Sequence, residues 1–352
     1  MLKLGIIGCG NIVGMHVRNL ARTAVRVTGV MDLDEARARA MGERLGCAWV
    51  TERAALLARA DVEAVLIATP NVDHGASTLA ALSAGKHILC EKPVVMTLDE
   101  GIAVLHAVQR SSVVYQSAFM RRCHPAYRRL RQLVQEEIGE IQHVRIRNTG
   151  GVPSEHWLPI QNDARAFALM GGNLVTSGCH SLDIMRWILG EPKTLFGKTR
   201  SWGDLRYEGF TTAAFNYGDF TAFWEYGIHR VQFVGDWHTG WEDTWEVTGE
   251  LARVSLSMPD WDRYEENRPV LRIHWADGRV EEPALPPCDY YEVQLNEFAA
   301  NVTAGHATPG ALDGVRAQAL VEAIRTSSHT GKNVKVGQFY KLAEGCESLD
   351  CL

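Results

Sequence analysis

The sequence predicts an α/β Rossmann domain, a doubly wound parallel sheet, followed by an α+β domain with a large, mostly antiparallel open sheet. Three observations carry this. Over the first 120 residues short apolar runs alternate with helical patterns. A glycine-rich turn follows the first run and opens a helix. From about Ile141 strand-like runs succeed one another across short turns. A length of 352 residues also corresponds to about two domains.

The apolar runs of the first half are Leu2–Ile7, Val25–Met31, Val62–Ala68, His87–Leu89 and Val113–Tyr115. They are short and rich in Val, Ile and Leu, as strands buried on both faces should be. Asp34 can cap a helix that runs to Leu45 and stops at Gly46, and Asp73 can open one that Gly85 closes. In the second half, Ile141–Thr149, Thr194–Trp202, Phe210–Tyr217, Phe220–His229, Thr244–Gly249, Ala252–Met258 and Val270–Trp275 read as strands. Helices at about 172–189, 290–304 and 312–327 are expected to cover one face of that sheet. The other face then meets solvent or another subunit. The expected division is 1–122 for nucleotide binding, 123–336 for substrate binding and oligomerisation, and 337–352 as a tail.

Charge and composition exclude several functions. Thirty-six Lys and Arg against 42 Asp and Glu give a net charge of −6 with no basic block, which argues against nucleic-acid and anionic-membrane partners. No apolar run approaches the ~18 residues of a membrane span. The opening strand carries no basic stretch, apolar leader or cleavage site ahead of it, which favours a cytoplasmic address. The eight cysteines are scattered without a Cys-x-x-Cys pair, predicting reduced packing thiols and no metal site.

The turn Gly8-Cys9-Gly10-Asn11-Ile12-Val13-Gly14 is placed to receive a dinucleotide. Gly8 permits the tight turn, Gly10 admits a pyrophosphate against the backbone, and the helix start at Asn11 and Ile12 meets its charge. Val13 occupies the position where a third small residue usually stands, and looser helix–strand packing is the expected cost. Asp32, at the end of the second run, can accept ribose hydroxyls or serve as a helix cap. A carboxylate repels a 2′-phosphate by about 4 kcal/mol at 4 Å and an effective dielectric of 20, so NAD is favoured over NADP. Thr69-Pro70-Asn71 with His74, and Glu91-Lys92-Pro93, follow the next two runs, where open α/β sheets bind ligands. Spacing alone leaves Lys92 equally readable as a cleft cation or a surface lysine beside a turn.

Taken with Arg121-Arg122 ahead of Pro125 and the segment Gly171-Gly172 to Gly178-Cys179-His180-Ser181-Leu182-Asp183, these clusters resemble the Gfo/Idh/MocA oxidoreductases, from Met1 to about Val336. The resemblance implies an NAD(P)-linked redox reaction on a sugar, cyclic polyol or related hydroxy compound. It also implies an oligomer, a homodimer or homotetramer, formed through the C-terminal sheet. It assigns Lys92 to substrate and nicotinamide contact and His180 to acid–base duty. Thr176 stands where the family usually has an aspartate, and a hydroxyl there cannot act as a base.

Independently of the resemblance, residues 176, 180 and 183 share one helical face, and such polar residues need partners or a cavity. A core histidine satisfied by Asp183 is the plainer reading of His180. Joined to the resemblance, these residues imply oxidation of a secondary hydroxyl, with His180 as acid/base, Lys92 stabilising the alkoxide and Thr176 assisting. Arg122, His156, Trp157 and Arg165 are further candidates for the substrate cleft. Trp237, Trp241 and Trp245 offer flat faces for a sugar ring, or core packing. The alternatives are a lyase or glycosidase that retains NAD and oxidises transiently, or a non-catalytic NAD-responsive regulator.

Overall fold

A computed structural model describes residues 1–151, 170–201, 208–229, 231, 235–236, 240–259 and 264–344. The chain forms two compact units, chiefly Met1–Met120 with Tyr290–Gln318, and Arg121–Asp289 with Ala319–Leu342.

The first unit holds a six-stranded parallel sheet of β1 (Leu2–Ile7), β2 (Val25–Met31), β3 (Ala48–Val50), β4 (Ala64–Ile67), β5 (His87–Cys90) and β6 (Tyr115–Ser117). Their spatial order is 3-2-1-4-5-6, so the strand order reverses between β1 and β4. That reversal opens the crevice in which such sheets bind ligands. The edge strand β3 is absent from the sequence reading, because three half-buried residues carry no periodic signal.

Helix α1 (Asn11–Val17) follows the glycine turn, and α2 (Glu35–Leu45) is capped by the Asp34 carboxylate and closed by Gly46 at φ 62°. Helices α3 (Arg53–Leu57), α4 (His74–Ser83) and α5 (Leu98–Gln109) complete the crossovers. Asp73 stands at the entrance of α4, but its carboxylate accepts from Arg53 at 2.6 and 2.8 Å and from Ser77 Oγ at 2.6 Å, not from the helix backbone.

The second unit begins with α6 (Pro125–Gln132) and continues through β7 (Ile141–Gly151) into a π-helical turn, Leu174–Gly178, that runs directly into α7 (Cys179–Leu189). Among the described residues its sheet has nine strands, with β8 (Thr194–Arg200), β9 (Phe210–Asn216), β10 (Thr221–His229), β11 (Trp241–Gly249), β12 (Ala252–Met258), β13 (Val270–Trp275), β14 (Val280–Glu281) and β15 (Val334–Lys335). All pairings are antiparallel except that of β7 with β10.

One sequence expectation is overturned. The helix at 290–304, here α8 (Tyr290–Ala304), belongs to the first unit. Leu295, Phe298 and Ala299 recur at i, i+3 and i+4 and pack with Leu4, Ile6, Val13, Val25 and Leu89, covering one face of the parallel sheet. The opposite face packs Leu56, Leu57, Ala81, Val104 and Leu105. Val13 is wholly buried in the first of these clusters. Helices α9 (Ala311–Thr330) and α10 (Val336–Glu344) are the last described.

The described cysteines, Cys9, Cys47, Cys90, Cys123, Cys179 and Cys288, are all free thiols, and five of them are buried. Among the described residues, no helix is long and apolar enough to cross a membrane.

Helix α6 depends on an unprotonated histidine. His124 is its N-cap, and Nδ1 accepts from the Ala126 N–H at 3.0 Å. Burial pulls this imidazole down from 6.5 to about 4. Its contribution to stability is therefore complete above pH 6.5 and fades as the pH falls towards 4. Between pH 7 and pH 5 the wild type should lose about 2 kcal/mol more than His124→Asn, which keeps a capping acceptor without a titratable ring. Denaturant unfolding at the two pH values measures the difference; equal losses would contradict this account.

Candidate active site

In the first unit the polar groups gather at the carboxyl ends of β1, β2, β4 and β5. Gly8 has φ 92°, and a Cβ there would lie 2.6 Å from the Ala68 carbonyl oxygen, so the turn between β1 and α1 closes against β4 only with glycine. A Cβ at Gly10 would meet nothing within 4 Å. Asn11 is exposed and Ile12 half-buried at the start of α1. Asp32 follows β2; Oδ2 accepts from the Cys9 N–H at 2.7 Å and Oδ1 from the Asp34 N–H at 2.9 Å. Burial pushes the Cys9 thiol up to about 12, with Asp32 adding to the shift, so Cys9 is an inert packing group.

Thr69, Pro70 and Asn71 form the turn after β4, Asn71 being buried. His74 is wholly buried behind this turn, with Nε2 2.9 Å from the Thr69 carbonyl and Nδ1 2.6 Å from the Pro93 carbonyl. Burial lowers its pKa against the pull of the two carbonyls, which favour the cation. The ring thus bridges the turns after β4 and β5.

Glu91 is buried too. Oε1 bonds His16 Nε2 at 2.7 Å, and Oε2 accepts from the Lys92 N–H at 3.1 Å. Burial pushes the Glu91 carboxyl up, but the His16 bond and the Lys92 cation outweigh it, and its pKa lies below the ordinary value. Lys92 itself is half-buried and precedes Pro93 through a cis peptide bond.

A cavity of about 740 Å³ lies at the opposite end of these strands, lined by Leu2, Glu63, Lys86 and His87 among others. Its polar groups serve the fold: Lys86 Nζ donates to the Arg59 and Val62 carbonyls, and His87 Nδ1 accepts from the Val114 N–H.

In the second unit, Gly171 and Gly172 adopt positive φ ahead of the π-helical turn that carries Thr176. The Thr176 hydroxyl donates to the Met170 carbonyl at 2.9 Å. His180 lies one turn later in α7, at 9% exposure, and almost every residue of that helix is buried.

Asp183 is engaged by an arginine. Arg122 grips it with two hydrogen bonds, of 2.8 and 2.5 Å, and both side chains are buried. Arg122 therefore anchors α7, and removing one member of such a pair costs about 3–5 kcal/mol. Arg121 pairs at 2.7 Å with Asp243 on β11, which also accepts from Tyr127 and Asn148. Trp245 is completely buried in the core, and Trp241 lies on β11 over Gly150. His156, Trp157, Arg165 and Trp237 lie outside the described residues.

The chain matches known proteins along most of its length. Residues 2–119 fit the family described as oxidoreductase family, NAD-binding Rossmann fold, and residues 127–255 the GFO/IDH/MocA C-terminal domain. Inositol 2-dehydrogenase 2 of Saccharopolyspora erythraea is 31% identical over 353 aligned residues, covering 95% of each chain.

The chain belongs to the Gfo/Idh/MocA oxidoreductase family.

D-xylose 1-dehydrogenase (NADP(+)) 2 of Haloferax volcanii is 28% identical, covering 95% of this oxidoreductase and all of that protein. Levoglucosan dehydrogenase in complex with NADH and levoglucosan shares the fold with a TM-score of 0.80 at 20% identity, covering 95% and 99% of the two chains.

The first unit of this oxidoreductase is an NAD-binding Rossmann domain, and its residues fit that cofactor. The open space over Gly10 leaves room for a pyrophosphate. Asp32 is held by the Cys9 N–H yet stays half-exposed, as a ribose acceptor must. Leu33, at 86% exposure, and Asp34 follow it, and neither can pair with a 2′-phosphate.

The sequence reading missed His16. Its signal was present, since Val13, His16 and Val17 form the buried face of α1 and a polar residue on such a face needs a partner.

Gly8→Ala should weaken NADH binding while leaving the second unit intact. Titration by reduced-nicotinamide fluorescence should show affinity falling at least tenfold, because the carbonyl contact must open the turn. Wild-type affinity in this variant would contradict the role given to the turn.

Proposed function

We propose that this oxidoreductase is an NAD-dependent dehydrogenase that oxidises a secondary hydroxyl of a sugar or cyclic polyol. The single observation that carries the reading is the retention of Lys92 beyond β5 and His180 in α7, at the positions where the family places its substrate cation and its acid–base histidine. The inositol 2-dehydrogenases among its relatives make cyclic polyols the first substrates to test.

The dinucleotide, when bound, supplies the hydride acceptor. Gly8, Gly10, Asn11 and Ile12 would seat its phosphates, Asp32 its ribose, and the turn of Thr69, Pro70 and Asn71 would line the same crevice. His74 and Glu91 would shape that crevice from behind. A ring nitrogen of His180 takes up the hydroxyl proton as the C–H bond is broken. The Lys92 Nζ ammonium stabilises the negative charge that builds on the substrate oxygen, an effect strengthened where water is excluded. Thr176 cannot take over proton transfer, so the proton has one acceptor here where the family usually offers two. Arg122 acts indirectly, holding α7 through Asp183.

The second unit would bind the polyol and form the oligomer. Phe196, Ala214 and Phe223 lie in register across β8, β9 and β10, and Phe196 and Phe223 are 43% and 49% exposed. An apolar row of this kind suits a homodimer or homotetramer contact through the sheet. The free thiols suit a reducing, cytoplasmic setting.

The test is accumulation of reduced nicotinamide absorbance when the protein and NAD meet a panel of sugars and cyclic polyols that includes myo-inositol. His180→Ala should cut turnover of whichever compound reacts at least about 100-fold with NADH binding unchanged. Turnover at the wild-type rate by this variant would overturn the assignment. Binding of NAD without oxidation of any compound would overturn the dehydrogenase reading.

A further inference from the structure

We propose that His16 is a positioning residue for Lys92. Acting through Glu91, it fixes the turn that presents the lysine and ties that turn to the one that seats the dinucleotide. The proposal extends the function proposed above and rests on its placement of Lys92 beside the bound cofactor.

Three contacts carry it. Lys92 follows Glu91 directly, and its backbone N–H donates to Glu91 Oε2 at 3.1 Å. The other carboxylate oxygen is held at 2.7 Å by Nε2 of His16, whose side chain is completely excluded from solvent. His16 belongs to the helix that springs from Gly8 and Gly10, and Tyr291 packs edge-on against its ring at 4.7 Å. On the far side of Lys92, the Pro93 carbonyl meets the buried ring of His74. The backbone around the lysine is therefore pinned before and behind by histidines from two different helices.

An apolar residue at position 16 would fill this space without desolvating a ring, so core packing alone gives no reason for a histidine. Moreover, His16 Nδ1 is buried with no hydrogen-bond partner, a cost the site bears while Nε2 holds the carboxylate. Without the Nε2 bond, Glu91 would keep a buried charge satisfied only by a backbone N–H, and its turn would relax towards water. Because the same bond joins α1 to the turn after β5, ordering at the dinucleotide end and ordering at Lys92 are one event.

The test needs no substrate. NADH affinity is measured by fluorescence titration, and the accessibility of Lys92 by its rate of acetylation with acetic anhydride in NADH-free protein, read by peptide mass spectrometry. A lost hydrogen bond to a buried charge corresponds to about a tenfold effect or more. His16→Met, which fills the space but cannot donate, should weaken NADH binding and speed Lys92 acetylation by about that factor. His16→Gln, whose amide can still donate to Glu91, should restore both.

The proposal is overturned if His16→Met leaves either quantity within about twofold of the wild type, or if His16→Gln behaves like His16→Met. Should His16→Met not fold, Glu91→Met removes the acceptor at the other end of the same bond and carries the same two expectations. Failure of the dehydrogenase reading is separately visible as the absence of any oxidised compound while these two measurements behave as stated.

Discussion

Two carboxylates grip the glycine turn after β1 and the helix α1 that it opens, and the nucleotide half of the molecule depends on that grip. Asp32, from the end of β2, accepts the Cys9 N–H, while Glu91, from the end of β5, holds His16. A buried or half-buried carboxylate is tolerated only when its lone pairs are met, so each fixes the backbone that meets it. Asp32 thus holds the middle of the Gly8–Gly10 turn, and Glu91 holds the helix that follows it. The open space over Gly10 leaves room for a pyrophosphate, with the Asp32 carboxylate beside the same turn. An NAD-binding Rossmann domain needs such a turn and helix start, and here they are fixed by residues 23 and 75 positions away from their partners.

The second unit applies the same principle with arginines. Arg122 closes on Asp183 in the helix that bears His180, and Arg121 closes on Asp243 in the central strand β11. Both pairs are nearly dry. Their desolvation is expensive, and their return lies in geometry: α7 is held by a bidentate contact that admits little rotation. Arg325 adds a hydrogen bond to the Gly171 carbonyl and an ion pair with Glu208, steadying the entry to the same helix. Thr176, spent on the Met170 carbonyl, belongs to this framework as much as to chemistry.

Much of this was legible in the sequence, and the failures have physical reasons. Strand–helix alternation gave the parallel sheet because strands buried on both faces must be apolar throughout. The three-residue β3 escaped, since an edge strand needs no such run. The helix at 290–304 was recognised as a helix but given to the wrong sheet, because periodicity reveals a buried face without saying what buries it. Asp34 was read correctly as a cap, whereas Asp73 gave its carboxylate to Arg53, a partner 20 residues away that local rules do not see. The same limit explains Arg122. Its buried pairing with Asp183, 61 residues on, leaves no local signal in the sequence. His16 and His74 show the converse, two histidines whose buried bonds organise a site they are not seen to enter.

The central claim is that Lys92, fixed from behind by Glu91, and His180, on its arginine-anchored helix, act on one substrate oxygen. A crystal structure of the protein with NADH and the polyol it oxidises tests this most directly. The account predicts the Lys92 ammonium and a His180 ring nitrogen each within about 3 Å of the same hydroxyl oxygen, with the carbon that bears it facing the nicotinamide. A bound polyol whose reacting hydroxyl touched neither group, or only one of them, would contradict it.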